Sequence, residues 1–261
     1  MYGVGAIIGA GIFALTGLAV QYAGPSLFLS FILAGFTSVC SAYMFAEFSS
    51  RFPSNGSAFI YVYTTFGELP AWIIGWYLII AYGVAASGLA RALSYSFVGF
   101  LEKIGLLLPR WFFDATIFGQ KDCCPIALIF LILLAYINCR GTKESERFNT
   151  YLTSGKIITL LIIIAVAFTQ FKTENMKPFF KPEYGASGTL MGASMLFFGI
   201  VGFDFLTLIA EEAKDSSRDV PLAMRDSVLI TTSFYVLVGI SMCGMGLGRA
   251  PNFIPSTAIA D

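Results

Sequence analysis

Two glycine-rich stretches lie inside apolar segments that are otherwise suited to continuous helices. The first, residues 5–13, reads Gly-Ala-Ile-Ile-Gly-Ala-Gly-Ile-Phe, and the second, residues 197–204, reads Phe-Phe-Gly-Ile-Val-Gly-Phe-Asp. Glycine weakens a helix by about 1 kcal/mol relative to alanine, so each stretch marks a point where a helix can open. An opened helix exposes backbone N–H groups, and those at the start of a half-helix attract a carboxylate.

The same glycines have a second interpretation, because Gly5 and Gly9 have the spacing of a helix-packing face. The occurrence of two such stretches favours a substrate-binding role over helix packing. Irregular backbone inside a membrane persists only where it lines a cavity or is buried in protein. Glycine-broken segments at matching positions of two halves are typical of the midplane site of a secondary transporter.

A lysine inside a third apolar segment is the other candidate for chemistry. Lys156 lies about 10 Å from the start of a segment that runs from about residue 149 to 170. A lysine at the bilayer centre costs about 2.5–3.5 kcal/mol on insertion scales, and charges of this kind usually face the interior of a helix bundle. Lys156 could there release and rebind a proton during a cycle. The alternative is a lysine that snorkels to the interface.

Composition places these segments in a bilayer. Charged residues make up 12% of the chain and hydrophobic residues 57%, whereas an ordinary soluble domain is about a quarter charged. A span needs about 20 mostly apolar residues. We predict an all-α multipass membrane protein with seven spans, at about 3–22, 25–46, 69–100, 123–139, 149–170, 189–210 and 228–248. Residues 52–67 suit a short interfacial helix instead, because Phe59, Tyr61, Tyr63 and Phe66 follow the turn-forming residues 53–56.

The position of the two glycine stretches predicts a repeat. If five spans form one repeat, spans 1 and 6 are the first helices of two successive repeats. We predict one transmembrane domain over residues 1–261, with a first repeat at about 1–170 and the start of a second at about 189–248. We expect the chain to be a fragment, because the second repeat would be incomplete.

Several classes of function are excluded. The chain has no histidine, which removes Ser-His-Asp and Cys-His catalysis, and no nucleophile–base or metal-ligand cluster appears. We therefore predict no enzyme, no catalytic residue, no metal and no cofactor. Sixteen basic and sixteen acidic residues leave no net charge to recruit nucleic acid. Cys123 or Cys124 could bond a heavy-chain partner if their side is oxidising, but a free or buried thiol is expected.

Five blocks of sequence, in order, match one known family. They are residues 3–17, with Gly-Ile-Phe at 11–13; residues 46–63; residues 66–76; residues 141–149; and residues 202–221, with Gly-Phe-Asp at 202–204. They are distributed from residue 3 to residue 221, so the resemblance extends over nearly the whole chain. The sequence resembles the amino acid–polyamine–organocation superfamily, and within it most closely the cationic amino acid transporter branch.

The resemblance implies a partial leucine-transporter-like fold of inverted repeats, with helices 1 and 6 broken and a cytoplasmic N-terminus. It also implies a set of substrate-binding residues. The substrate carboxylate would meet amides of the first break and its ammonium would meet carbonyls of both breaks, which assigns the site to Ile7, Gly9, Ala10, Gly11, Phe198, Gly199, Val201 and Gly202. Lys156 aligns with a lysine that takes the place of a sodium ion in some bacterial relatives, which implies proton coupling or sodium-independent exchange.

The chain departs from this family pattern in span 3. Relatives often read Gly-Trp-Asp-Leu-Ile-Leu-Glu-Tyr, whereas residues 75–82 carry Tyr77 and Ala81 at the two acidic positions. In the family, the second repeat also continues through span 10, and spans 8 and 10 normally help to close the pocket.

We predict a permease of the plasma membrane that moves cationic amino acids across the lipid bilayer by alternating access. Three alternatives stay open: a neutral amino acid permease or exchanger, a transport-dead truncated isoform that assembles with full-length copies, and a seven-helix receptor.

Overall fold

The computed structural model describes residues 1–9, 11–52, 54, 56–106, 115–117, 120–139, 142–208, 213 and 215–246. Within these ranges the chain is almost entirely helical. Its helices are α1 (Tyr2–Ile7), a π-helix (Gly11–Leu15), α2 (Thr16–Ala23), a 3-10 turn (Gly24–Ser26), α3 (Leu27–Arg51), α4 (Ser57–Phe66), α5 (Glu68–Lys103), α6 (Pro125–Cys139), α7 (Thr142–Thr169), a 3-10 turn (Thr173–Met176), α8 (Gly185–Ile200), α9 (Phe205–Leu208) and α10 (Ser216–Met245). Two short strands, β1 (Ala115–Ile117) and β2 (Gln120–Cys123), form an antiparallel pair that the sequence analysis did not predict.

Helical segments occupy all seven predicted spans. Five stretches of the described chain are long and apolar enough to cross a membrane: Thr16–Arg51, Glu68–Lys103, Arg147–Thr169, Gly185–Leu208 and Ser216–Met245. The first of these holds parts of two predicted spans, because Gly24 has φ +61° and turns the chain between α2 and α3. The fourth predicted span is a shorter apolar helix, Pro125–Ile137.

The all-α fold class with broken first and sixth helices is confirmed. The first segment consists of α1, the π-helix and α2, and the sixth consists of α8 and α9. The seventh helix begins 12 residues before the predicted position 228, at Ser216. Its first turns are polar and charged, so apolarity marks the membrane part of the helix and not its true start.

One compact unit contains both broken segments. It comprises Met1–Gly67 with Asn149–Asp261, and its described core is formed by apolar side chains from α1, α2, α3, α7, α8 and α10. Small residues let α3 and α10 approach closely. An ideal Cβ on Gly239 would lie 3.2 Å from the Cα atom of Phe28, and one on Gly35 would overlap Thr232.

A second compact unit comprises Glu68–Phe148 and contains α5, the strand pair and α6. Its two helices meet at an edge-on aromatic contact, where the ring centroids of Phe97 and Phe130 are 5.7 Å apart. Many apolar side chains of α5 are exposed, among them Trp72 and Trp76. An apolar surface of this extent suits contact with lipid or with other helices.

Candidate functional site

The first helix opens where the sequence predicts. α1 ends at Ile7, and Ile8 has extended backbone with φ −70° and ψ 94°. The chain becomes helical again at Gly11, as a single π-helical stretch. The last carbonyls of α1 therefore have no donors within their own helix, which leaves them for other partners.

The sixth segment opens in the same way. α8 ends at Ile200, and Val201 has extended backbone with φ −67° and ψ 141°. Gly202 follows with φ +145°, a conformation that side-chain-bearing residues rarely adopt. The chain resumes as the short helix α9 at Phe205. A glycine is required here by its backbone angle.

The two openings lie against each other. A Cβ atom built on Gly11 would overlap the backbone of Gly199, and a Cβ on Gly199 would come within 2.6 Å of the Cα atom of Gly11. A Cβ on Gly202 would lie 2.8 Å from the carbonyl oxygen of Ala6. Glycine at these positions therefore allows two polypeptide backbones to meet without side chains between them. The structure brings four of the predicted site residues into one place: Ile7, Gly11, Gly199 and Gly202.

A tyrosine from α10 bridges the two openings. The hydroxyl oxygen of Tyr235 lies 3.1 Å from the carbonyl oxygen of Ile7 and 3.3 Å from that of Gly199. The side chain is 1% exposed, and its ring meets Phe31 edge-on with centroids 5.6 Å apart. The sequence analysis missed Tyr235 because it lies inside an apolar span. The available signal was its type, since a buried tyrosine hydroxyl usually finds a hydrogen-bond partner.

Lys156 holds the end of α1 from the other side. Its Nζ atom donates to the carbonyl oxygens of Gly5 at 3.1 Å and Ile8 at 2.8 Å. Both are charge-assisted hydrogen bonds, and they put a cation at the negative end of a helix dipole. Gly5 permits the approach, because a Cβ there would overlap the hydroxyl of Thr153 on α7. Lys156 therefore lies inside its unit and bridges α7 to the first break.

The structure distinguishes the helix-packing interpretation from the binding interpretation for Gly5 and Gly9 one by one. Gly5 is a packing residue, as its contact with Thr153 requires. Gly9 has no such packing contact among the described residues, where a Cβ would come no closer than 3.9 Å, to the carbonyl oxygen of Ile7. The described part of the chain therefore leaves room for a side chain at Gly9, beside the break.

Comparison with known proteins identifies the family. Residues 1–248 match the amino acid permease family. The chain belongs to that family. The chain is 36% identical to the methylthioribose transporter of Bacillus subtilis (strain 168) over 248 residues, and 37% identical to the branched-chain amino acid permease BcaP of the same organism over 253 residues. It is 35% identical to the chloroplastic cationic amino acid transporter 9 of Arabidopsis thaliana over 251 residues.

The chain covers only part of these proteins. Each alignment includes 94% of the chain but 53%, 53% and 44%, respectively, of the relative. The chain therefore spans about half the length of the curated relatives it matches. The predicted resemblance is confirmed, and the chain belongs to an integral, multipass membrane protein whose relatives are transporters and not enzymes.

The remaining predicted site residues differ in what the structure describes. Phe198 is 67% exposed and Val201 is 38% exposed, so neither side chain is buried in the core. Ala10 lies outside the described residues, as does the side chain of Cys123. Cys124 is a half-buried free thiol. A heavy-chain partner through either cysteine stays a prediction.

Proposed function

We propose that this protein is a secondary-active amino acid permease that binds its substrate at the two broken helices and works by alternating access. The observation that carries the proposal is the crossing of Gly11 and Gly199, where two opened helices lie backbone to backbone. Interrupted spans that meet in this way are the usual substrate site of secondary transporters.

Backbone groups supply the binding contacts in this proposal. The substrate carboxylate meets the amides that follow the first break, at Gly9, Ala10 and Gly11. The substrate ammonium meets carbonyl oxygens at the ends of both half-helices, which belong to Ile7, Phe198, Gly199 and Val201. Each carbonyl has two lone pairs, so a carbonyl that accepts from Tyr235 can still accept from an ammonium. Gly202 completes the set by letting the sixth segment approach α1.

Lys156 supplies the coupling or the fixed charge. Its two hydrogen bonds to the end of α1 join α7 to the first break. A proton that leaves Lys156 weakens that connection, because a neutral amine forms weaker hydrogen bonds than an ammonium. Protonation of Lys156 would in this way favour one arrangement of α1 over another.

Cationic amino acids are the substrate class that we propose, at the plasma membrane. Similarity to several proteins named cationic amino acid transporters supports this choice. A neutral amino acid permease or exchanger is the second candidate. It is supported by the similarity to BcaP and by the uncharged Tyr77 and Ala81 in α5.

Uptake into proteoliposomes tests the proposal. The full-length protein is reconstituted, and uptake of labelled arginine and labelled leucine is measured with and without sodium and with an imposed pH gradient. We expect saturable, sodium-independent arginine uptake. The Gly11→Ala variant serves as the site-blocked control, because its Cβ would overlap Gly199.

Each other outcome has a defined meaning. Leucine uptake that arginine does not inhibit would assign the neutral class. Uptake of neither amino acid would refute the proposed function. Uptake by the 261-residue chain alone would exclude the transport-dead alternative.

A further inference from the structure

A buried tyrosine on the short helix α4 connects that helix to the sixth segment. The ring of Tyr61 stacks on Phe48 with centroids 5.2 Å apart and an interplanar angle of 21°. It also meets Phe45 edge-on at 6.0 Å. Phe45 in turn meets Phe203 edge-on at 5.9 Å. We call these four residues the α4 aromatic cluster, and its last member lies inside the break between α8 and α9.

The hydroxyl of Tyr61 points toward the same elements. Burial raises the pKa of Tyr61, and the hydroxyls of Ser49 on α3 and Thr207 on α9 partly oppose that rise. Thr207 itself donates to the carbonyl oxygen of Asp204 at 2.6 Å. The hydroxyls of Ser49 and Thr207 are near enough to the Tyr61 hydroxyl to affect its pKa, but within the described residues neither has the geometry of a hydrogen bond with it. The ring, and not the hydroxyl, is therefore the part of Tyr61 that makes the defined contacts.

Two residues of α4 are buried, Ser57 at its start and Tyr61 one helical turn later. Tyr61 is 5% exposed, whereas Tyr63 is 46% exposed and Phe66 is 75% exposed. The start of α4 is also strained, because Ser57 is a non-glycine residue with φ +47°. A strained residue of this kind persists only where surrounding packing holds it. Tyr61 is therefore the large side chain through which α4 is anchored in the described core.

The other end of the cluster needs support as well. α9 has four residues, and a helix of that length has no stability of its own in the absence of tertiary packing. Its amides at 205–207 are held by short-turn hydrogen bonds of 3.0–3.3 Å to residues 202–204. Phe203 is 3% exposed and is the aromatic residue through which this segment meets Phe45.

We propose that Tyr61 is a positioning residue for transport, which holds α9, the second half of the sixth segment, in place through Phe45 and Phe203. The proposal rests on the proposed transport function, because a movement of α9 relative to α3 is what would open the site. Such a movement must separate the ring contacts of the α4 aromatic cluster. Tyr61 would thereby set how readily the sixth segment moves.

Hydrogen–deuterium exchange of the full-length protein in lipid nanodiscs tests this directly, without substrate. In Tyr61→Ala we expect the amides at 205–207 to exchange faster by about fivefold or more, because local opening frees them. Tyr61→Phe keeps the ring and should stay within about twofold of the wild type. Tyr63→Ala is the matched control, since Tyr63 lies on the same helix but is exposed.

Three results would overturn the proposal: unchanged exchange at 205–207 in Tyr61→Ala, equal acceleration in Tyr63→Ala, or a Tyr61→Phe variant as fast as Tyr61→Ala. If Tyr61→Ala does not fold, Phe45→Leu breaks the same chain of contacts with less change in volume. The Phe45→Leu variant should accelerate exchange of the amides at 205–207 and leave the amides of α4 protected. Continued protection of both sets of amides would contradict the proposal.

Uptake by the same variants separates this proposal from the proposed function. The described ring contacts of Tyr61 are with Phe45 and Phe48 on α3 and not with residues of the two breaks. Tyr61→Ala should therefore alter the maximal uptake rate by about threefold or more with substrate affinity within about twofold. If Tyr61→Ala exchanges faster at 205–207 but has an unaltered maximal uptake rate, the role of Tyr61 in transport would be refuted and the proposed function would be unaffected. Exchange as predicted, in a protein that transports no amino acid, would refute the proposed function and leave the structural contact intact.

Discussion

Replacement of Lys156 by alanine gives the sharpest test of the site. The substitution removes both hydrogen bonds from the Nζ atom to the carbonyl oxygens of Gly5 and Ile8. It leaves the apolar character of α7 intact and removes an insertion cost of about 2.5–3.5 kcal/mol. We therefore expect Lys156→Ala to insert normally and to lose the connection between α7 and the first break.

The size of the effect follows from the two bonds. Hydrogen bonds between helices in membranes contribute about 0.6 kcal/mol on average and up to about 1.7 kcal/mol each. Two of them give about 1–3 kcal/mol, which is too little to unfold the protein. A tenfold change in rate corresponds to about 1.4 kcal/mol. If the bonds are made in the transporting state, uptake should fall by about tenfold or more.

The assay compares three variants in proteoliposomes at several pH values. Lys172→Ala is the control for loss of a lysine, because Lys172 is exposed. Lys156→Arg separates the two proposed roles, since arginine remains protonated in proteins. Uptake by Lys156→Arg that no longer varies with pH indicates proton coupling, whereas wild-type behaviour indicates a fixed charge. Wild-type uptake by Lys156→Ala at every pH would refute the reasoning.

Three further predictions concern the crossing. Gly11→Ala should abolish uptake and lower thermal stability, because overpacking costs about 1–3 kcal/mol. Gly9→Ala should retain uptake, since the described residues leave room for its Cβ. Equal uptake and stability of the two variants would contradict the geometry. Gly202→Ala should destabilise the protein by about 1–2 kcal/mol through its φ of +145°, which thermal unfolding measures. Tyr235→Phe should lose about 0.5–1.5 kcal/mol of stability, with the exposed Tyr43→Phe as control; no difference between them would mean that the bridging hydroxyl contributes nothing.

The existence of the two breaks could be predicted from the sequence, but the way they meet could not. Glycine in an apolar segment is a local signal, and both openings fall within the predicted stretches. The contact between Gly11 and Gly199 depends on how distant segments pack, and no local pattern encodes it. Lys156 was identifiable because a charge in a membrane is conspicuous. Tyr235 was not, because tyrosine is common in apolar spans.

Helix boundaries show the same limit. Apolarity predicts the part of a helix that lies in the bilayer, so the polar first turns of α10 and α7 were left out of the predicted spans. A polar sequence remains helical when the apolar turns that follow it are already packed, because helix propagation is favourable once a nucleus exists. The start of α10 at Ser216 is therefore set by its continuation in the core.

The end of α1 explains why residues from three distant segments converge here. A helix ends with carbonyls that have no donor in the helix itself, and in α1 those groups face several elements. Lys156 on α7 donates to Gly5 and Ile8, and Tyr235 on α10 reaches Ile7. The ammonium of Lys156 contacts the carbonyls nearest α7, and the hydroxyl of Tyr235 contacts the carbonyl nearest α10.

The remaining carbonyl of this turn, that of Ala6, lies against Gly202 in the second break. The end of α1 is thus shared among α7, α10 and the sixth segment, and α1 itself contributes only backbone carbonyls to these contacts. A change in any one of the three partners alters the position of the same helix end. Under the proposed function, a substrate that competes for these carbonyls would do likewise, and its binding at the crossing would act directly on the elements that move. A site built from backbone groups would in this way couple occupancy to conformation without a charged side chain in contact with the substrate.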